Sequence, residues 1–226
     1  MGIDAVTLEV LRHALEGVAD EMGVVLRRTA YSPNIKERAD CSAALFSPSG
    51  ALVAQAEHIP VHLGSMPASV EAAIRAFPEL RSGDQVLLND PFAGGTHLND
   101  LTLVAPVFVG DVRAGFVANR AHHTDVGGSA PGSIPAGATS IDEEGVRIAP
   151  RLVYRNGRRI DDALADLLAA SRTPEEREGD LLAQVGANAR GAARLIELAE
   201  HHGTELLFEA QRAALGNQVR AVVRLG

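Results

Sequence analysis

Residues 101–109 and 112–119 form two apolar runs separated only by Gly110-Asp111, and this spacing constrains the fold more than anything else in the chain. Two such runs meeting at a two-residue turn predict a β-hairpin. A hairpin brings its outer ends together. At those ends stand His97-x-x-Asp100 and His122-His123-Thr124-Asp125, which hold three of the chain's eight histidines. Imidazole and carboxylate are the ligand set of a catalytic divalent metal such as Zn, Mn or Fe. Glycines border both motifs, as Gly94-Gly95 and Gly127-Gly128. A single His-x-x-Asp is more often a turn, and His-His before Thr-Asp can open a helix. Joined by one hairpin, the two motifs favour a site at the open end of a sheet.

The rest of the chain reads as α+β: a mixed or antiparallel sheet with hairpins flanked by helices, followed by a C-terminal helical segment. Leu11, Leu15, Val18, Met22 and Leu26 recur at helical spacing. Asp4 or Thr7 can cap that helix, Arg27-Arg28 suit its C-terminal dipole, and Pro33 ends it. Residues 41–46 and 51–54 predict a second hairpin around Ser47-Pro48-Ser49-Gly50, and 57–64 a loop. Ser65 is expected to cap a helix reaching Phe77, with Pro67 in its first turn. Residues 85–89 predict a strand and 90–96 a glycine-rich loop. Glycine and proline punctuate 127–150, which predicts a long loop, read either as a mobile lid over the site or as a disordered insertion. Residues 161–170 predict a short helix. Thr173-Pro174-Glu175-Glu176 has the pattern of a capping box opening a helix that runs to His202, where Gly203 ends it. A last helix is expected over 204–223. These elements group as a metal-site portion over 1–158 and a helical segment over 159–226.

Composition narrows the function. The chain has 226 residues, a net charge of -8 and no basic block, so it lacks the footprint of a nucleic-acid binder. Aromatics are 4% and Trp is absent, which argues against stacking platforms for bases. No run approaches the ~18 apolar residues of a membrane span. The N-terminus lacks the charged and apolar regions of a signal peptide. Cys41 is the one cysteine, so no internal disulfide can form, which fits the cytoplasm. Set in an apolar run, it reads as a core thiol rather than a nucleophile.

Other residues admit two readings each. His58 and His62 flank Pro60 and read as loop residues lining the site more readily than as ligands. Asn89-Asp90-Pro91 is a turn or a carboxylate orienting a ligand histidine. Asn119-Arg120 can bind an anionic substrate or simply leave the core. Glu143-Glu144 is a general base or a solvated face. The 31–38 stretch is an exposed turn, or it carries Lys36 and Arg38 into a cleft. His201-His202 suit a helix C-terminus. No phosphate-cradling motif occurs, so nucleotide binding by this chain alone is not expected.

Four stretches taken together are more specific: 29–38 (TAYSPNIKER), 57–66 (EHIPVHLGSM), Asn89-Asp90-Pro91 with Gly94-Gly95-Thr96-His97, and 119–123 (NRAHH) with Asp125-Val126-Gly127-Gly128. In this order and spacing they resemble the hydantoinase B/oxoprolinase family, over about 3–225. The resemblance implies one component of an ATP-dependent enzyme. A hydantoinase A-type partner binds ATP and phosphorylates the substrate, and the B component completes hydrolysis of a small cyclic amide of the hydantoin or 5-oxoproline type at a divalent metal. It places the metal on His97, Asp100 and His122, with His123 and Asp125 as catalytic neighbours. The other functions it implies are an acetone carboxylase-type subunit and a non-catalytic assembly or regulatory fragment. Asn99 stands where many members have proline. Family subunits are about twice as long or more, so the resemblance implies an N-terminal portion. Such a chain is expected to leave apolar faces on its last helices, to oligomerise, and to lack turnover alone.

Overall fold

The computed structural model describes residues 4–57 and 64–225, with side chains of the final helix described as far as Leu215. Seven strands form one sheet: β1 (Cys41–Phe46), β2 (Leu52–Glu57), β3 (Gln85–Leu88), β4 (Asp100–Val109), β5 (Val112–His122), β6 (Arg151–Arg155) and β7 (Arg158–Arg159). Their order is β2-β1-β5-β4-β3-β6-β7, and every neighbouring pair is antiparallel. The helices are α1 (Ala5–Thr29), α2 (Pro33–Lys36), α3 (Met66–Ala76), α4 (Ala165–Ala170), α5 (Pro174–His202) and α6 (Thr204–Leu225). The fold is α+β with a wholly antiparallel sheet.

Strand alternation decides what each layer buries. On one face, Ala43, Leu45, Ala105, Val107 and Val117 pack against Leu11, Leu15, Val18 and Met22 of α1, Leu195 of α5 and Leu207 of α6. On the other face, Ala44, Phe46, Val86, Leu88, Val104, Phe116 and Ala118 pack against Met66, Val70 and Ala73 of α3. With both faces covered, β1 is buried along its whole length, which explains why its sequence is a continuous apolar run rather than an alternating one. Pro106 is tolerated inside β4 because the β3 ladder ends at Val86↔Val104, so no β3 partner asks for its missing N–H.

The central hairpin forms as its spacing predicts, from Val109↔Val112 beside the turn to Asp100↔His122 at its open end, with a one-residue register shift between Val107 and Phe108. Asp4, rather than Thr7, caps α1 by accepting from the Val6 and Thr7 amides at 3.0 Å. Two expected caps do not form. Ser65 makes no cap bond because its hydroxyl is taken by Arg120. Thr173 makes none either; Ser171 Oγ receives the Thr173 amide, and Glu176 turns to Thr124 and Arg177. The sequence reading assigned nothing to β6 and β7, although Asn156-Gly157, with φ of 49° and 76°, is the dipeptide that a two-residue hairpin turn favours. The first turn of the expected 161–170 helix is 3₁₀, over Asp161–Leu164.

The helical segment lies on the sheet. Leu195 and Ala199 of α5 and Leu207, Ala210 and Ala214 of α6 are buried in the same core as α1, so these apolar faces are covered by the chain itself. What stays uncovered is one edge of α5, where Leu182 is 52% exposed and Val185, Ala189, Ala192 and Ile196 line an open groove with Phe108 and Tyr154; side chains beyond Leu215 lie outside the described residues.

Candidate metal centre

The start of β1, the start of β4 and the end of β5 lie side by side at one end of the sheet. Register puts Asp100 opposite His122. Both share the α3-side face with Thr102 and Arg120, since side chains two apart on a strand point the same way. His97 arrives from the loop before β4. Its approach depends on two glycines: Gly94 has φ 92°, and a Cβ there would lie 2.5 Å from the Ala68 carbonyl oxygen. A Cβ on Gly95 would lie 2.4 Å from the Asn89 carbonyl oxygen. The chain can fold this tightly only without side chains at these two positions.

The result is a compact cluster. His97 Nε2 lies 2.9 Å from His122 Nδ1, which lies 3.1 Å from Asp100 Oδ1; His97 Nδ1 lies 3.3 Å from Asp100 Oδ2. One potential ligand atom from each of the three residues lies within 4.8 Å of the others. Asp100 is fully buried, His122 is 19% exposed and His97 is 43% exposed, so the cluster opens to solvent through the histidines. Thr96 donates its hydroxyl to Asp100 Oδ2 at 2.5 Å, which fixes the carboxylate. Bonds of 2.0–2.2 Å to a tetrahedral ion separate neighbouring ligand atoms by about 3.4 Å, so a donor set whose single atoms lie within 4.8 Å of one another fits a metal once its widest pair closes by about an ångström.

The surroundings hold these groups from behind. Asn34 Nδ2 donates to the His122 carbonyl at 3.0 Å and to Asp40 Oδ2 at 3.2 Å, and the His122 amide donates to the Asp40 carbonyl at 3.0 Å. Asp40 precedes β1, whose Cys41 faces Ala121, so Asp40 extends the row Asp100–His122 by one strand. Its neighbour Ala39 has φ 57°, a conformation costly for any residue with a Cβ. The sequence reading missed Asp40; the pairing of β1 with β5, which is not local in sequence, is what brings it here. Asn99 donates to the His123 carbonyl at 2.8 Å and to the Gly132 carbonyl at 3.2 Å, bonds that a proline at this position cannot make.

The remaining expected residues take other places. His123 lies outside the cluster: its side chain is fully buried, and its Nε2 lies 3.0 Å from Gln184 Oε1 of α5. Burial and the nearby Arg177 guanidinium push its pKa down to about 3, so it is a neutral imidazole. Asp125 accepts from the Gly127 amide at 2.8 Å and from Arg172 at 2.9 Å. Both expected catalytic neighbours thus serve the framework around the cluster, because the chain leaves the sheet at His122 and turns toward α5. Asn89 orients no ligand directly; its amide bonds the Leu98 and Val146 carbonyls and the Ile148 amide. Arg120 is no anion receptor. It is fully buried within β5, donating to Thr102 at 2.8 Å, to Ser69 at 2.7 Å and to Ser65. Burial lowers its pKa, and the Asp100 carboxylate opposes that shift. Glu143 caps its own turn through the Thr139 and Ser140 amides, and these bonds hold its pKa below the ordinary value. Lys36 lines a cleft with Arg27 and Arg28 at the end of α1. Cys41 is a core thiol, pushed up to about 12 by burial. His58 and His62 lie outside the described residues.

The 127–150 segment is fastened along much of its length. The Val146 amide donates to the Val126 carbonyl, the Ser129 amide to the Glu143 carbonyl, and Ser133 Oγ to the Gly127 carbonyl. A lid spanning the whole segment would break these bonds; the exposed stretch around 134–140 is what remains free of them.

A family model described as Hydantoinase B/oxoprolinase matches residues 4–225. An uncharacterized protein of Methanocaldococcus jannaschii is 43% identical over 217 residues, covering 94% of this chain and 38% of its own length. A 5-oxoprolinase of Dictyostelium discoideum is 40% identical over 206 residues, covering 91% of this chain and 16% of its own. The crystal structure of an ATP-dependent caprolactamase from Pseudomonas jessenii superposes with a TM-score of 0.89 at 33% identity, over 95% of this chain and 37% of that one. The chain therefore spans well under half the length of these relatives.

Proposed function

This chain belongs to the hydantoinase B/oxoprolinase family, and on that premise we propose that it is the metal-bearing part of the B component of an ATP-dependent cyclic-amide hydrolase. The single observation that carries the reading is the His97–Asp100–His122 cluster, open to solvent on its histidine side, in a chain similar to a 5-oxoprolinase and a caprolactamase. His97, Asp100 and His122 would hold a divalent ion, and Asp40 stands beside His122 to add a carboxylate. When bound, such an ion supplies Lewis acidity and an activated water.

This chain's own residues set the stage for that chemistry. Thr96 locks the Asp100 carboxylate, Asn34 fixes the main chain at His122, and the Asp125–Arg172 pair shapes the turn behind them. An ATP-binding partner of the hydantoinase A type supplies the nucleotide chemistry. The substrate is a small hydantoin- or 5-oxoproline-like ring. The proposed compartment is the cytoplasm, where Cys41 stays reduced; among the described residues no helix is long and apolar enough to cross a membrane. The short span relative to the relatives favours one further reading, a subunit portion that turns over only when the rest of the component is present.

The test is metal analysis after dialysis, followed by partner-dependent ATPase coupling. Wild type retains about one ion per chain, and the His97→Ala/His122→Ala double variant retains none. Equal metal content in the two proteins defeats the assignment. Bicarbonate-dependent ATP turnover would instead identify a carboxylase subunit.

A further inference from the structure

The sequence of α5 hides a polar stripe inside its buried face. Arg177, Asp180, Gln184 and Asn188 recur at helical spacing and are 0–1% exposed. A buried polar side chain is retained at a stability cost unless its bonds are made, so each of these residues asks for an explanation. Asp180 receives the Tyr31 and Ser32 amides and Arg177. Asn188 serves Leu103, Gln85 and Asn119, in the middle of the sheet.

Gln184 is different in where its bonds end. Its Nε2 donates to the Leu101 carbonyl at 2.9 Å and to Asn119 Oδ1 at 2.8 Å. Because that nitrogen is the donor, Oε1 is the acceptor, and it takes the Nε2–H of His123 at 3.0 Å. Leu101 follows Asp100, and His123 follows His122. One amide therefore ties together the residues next to two members of the metal cluster, on two different strands, from the opposite face of the sheet. Asn119 Nδ2 returns a bond to the Gln184 carbonyl at 2.8 Å, fixing the helix against β5 at the same point. An apolar residue here would fill the space but leave the Leu101 carbonyl and the His123 N–H without this shared partner.

We propose that Gln184 is a positioning residue of the metal centre: by clamping Leu101 and His123 it sets the separation of Asp100 and His122. The inference rests on the metal reading above. Side chains that hold ligand groups in place typically change metal affinity by about 10–100-fold when removed.

Cobalt(II) titration of the purified chain, followed by visible absorption, tests it with three variants. Gln184→Met removes the clamp at similar volume. Gln184→Glu keeps an acceptor for His123 and serves if the methionine variant does not fold. Asn188→Leu removes an equally buried amide four residues along the same stripe that touches no residue adjacent to the cluster. Expected results are a cobalt affinity about tenfold weaker with an altered ligand-field spectrum for Gln184→Met, and a smaller change of the same kind for Gln184→Glu. Asn188→Leu should lower the unfolding midpoint yet bind cobalt with unchanged affinity and spectrum. Wild-type-like cobalt binding in a folded Gln184 variant, or the same loss in Asn188→Leu, overturns the positioning role. A wild-type chain that binds no cobalt defeats the metal reading, and the inference with it.

Discussion

Replacing Asn89 by alanine removes three hydrogen bonds at once from the junction behind the metal loop. Its Nδ2 donates to the Leu98 carbonyl at 2.7 Å and to the Val146 carbonyl at 2.9 Å, and its Oδ1 accepts from the Ile148 amide at 2.6 Å. Asn89 is fully buried, so water reaches the abandoned partners poorly. A net contribution of about 1 kcal/mol per bond, plus part of the penalty for buried groups left unpaired, gives a loss of roughly 3–4 kcal/mol. For a chain of this size that corresponds to a midpoint lowered by about 10 °C. Urea unfolding read as midpoint times slope measures the loss, and an unchanged slope shows that the unfolded state is not the cause. Amide exchange at Ile148 supplies a local readout, since this N–H loses its partner. Asn89→Asp should be at least as harmful, because it keeps the acceptor for Ile148 but turns a carboxylate oxygen toward two carbonyls. A loss below about 1 kcal/mol for Asn89→Ala, with Ile148 exchange unchanged, would refute the three-bond argument.

Gly95→Ala places a Cβ 2.4 Å from the Asn89 carbonyl oxygen, so it should displace the loop before His97 and weaken metal retention, as read by metal analysis of the folded variant. Asp40→Asn should reduce cobalt affinity less than Asp100→Asn does, because Asp40 sits beside the cluster of three and Asp100 within it; equal losses would make Asp40 a full ligand. Cys41 should resist iodoacetamide at pH 8 in the native chain and react on unfolding, because burial holds its thiol up to about 12; rapid native alkylation would contradict that burial. The sign for stability follows: a thiol that keeps its proton in the fold contributes fully below its ordinary pKa near 9.0, and that contribution fades as pH rises toward 12. Limited proteolysis should cut in 134–140 before 141–150, since the latter stretch is tied to Val126 and Asn89.

Sequence alone determined the features governed by local spacing. The Gly110-Asp111 turn between two apolar runs sets the β4–β5 hairpin and brings its outer ends together, but the turn alone would set residue 100 opposite 121; the one-residue register shift between Val107 and Phe108 moves it opposite 122, onto the same face as His122. The α1 stripe at Leu11, Leu15, Val18 and Met22 likewise follows from periodicity. The His97–Asp100–His122 grouping was legible for the same reason, and the family was legible from motif order. Tertiary structure decided everything that rests on pairings distant in sequence. Whether Ser65 caps a helix or serves Arg120 depends on a strand 55 residues away. Whether His123 joins the cluster or turns into the core depends on Gln184, which is 61 residues distant. The α5 polar stripe carries no local signal, because a glutamine or asparagine at helical spacing looks solvent-facing until a sheet is laid against it. A short polar side chain takes its meaning from the partner it meets, and periodicity reports only which way it points.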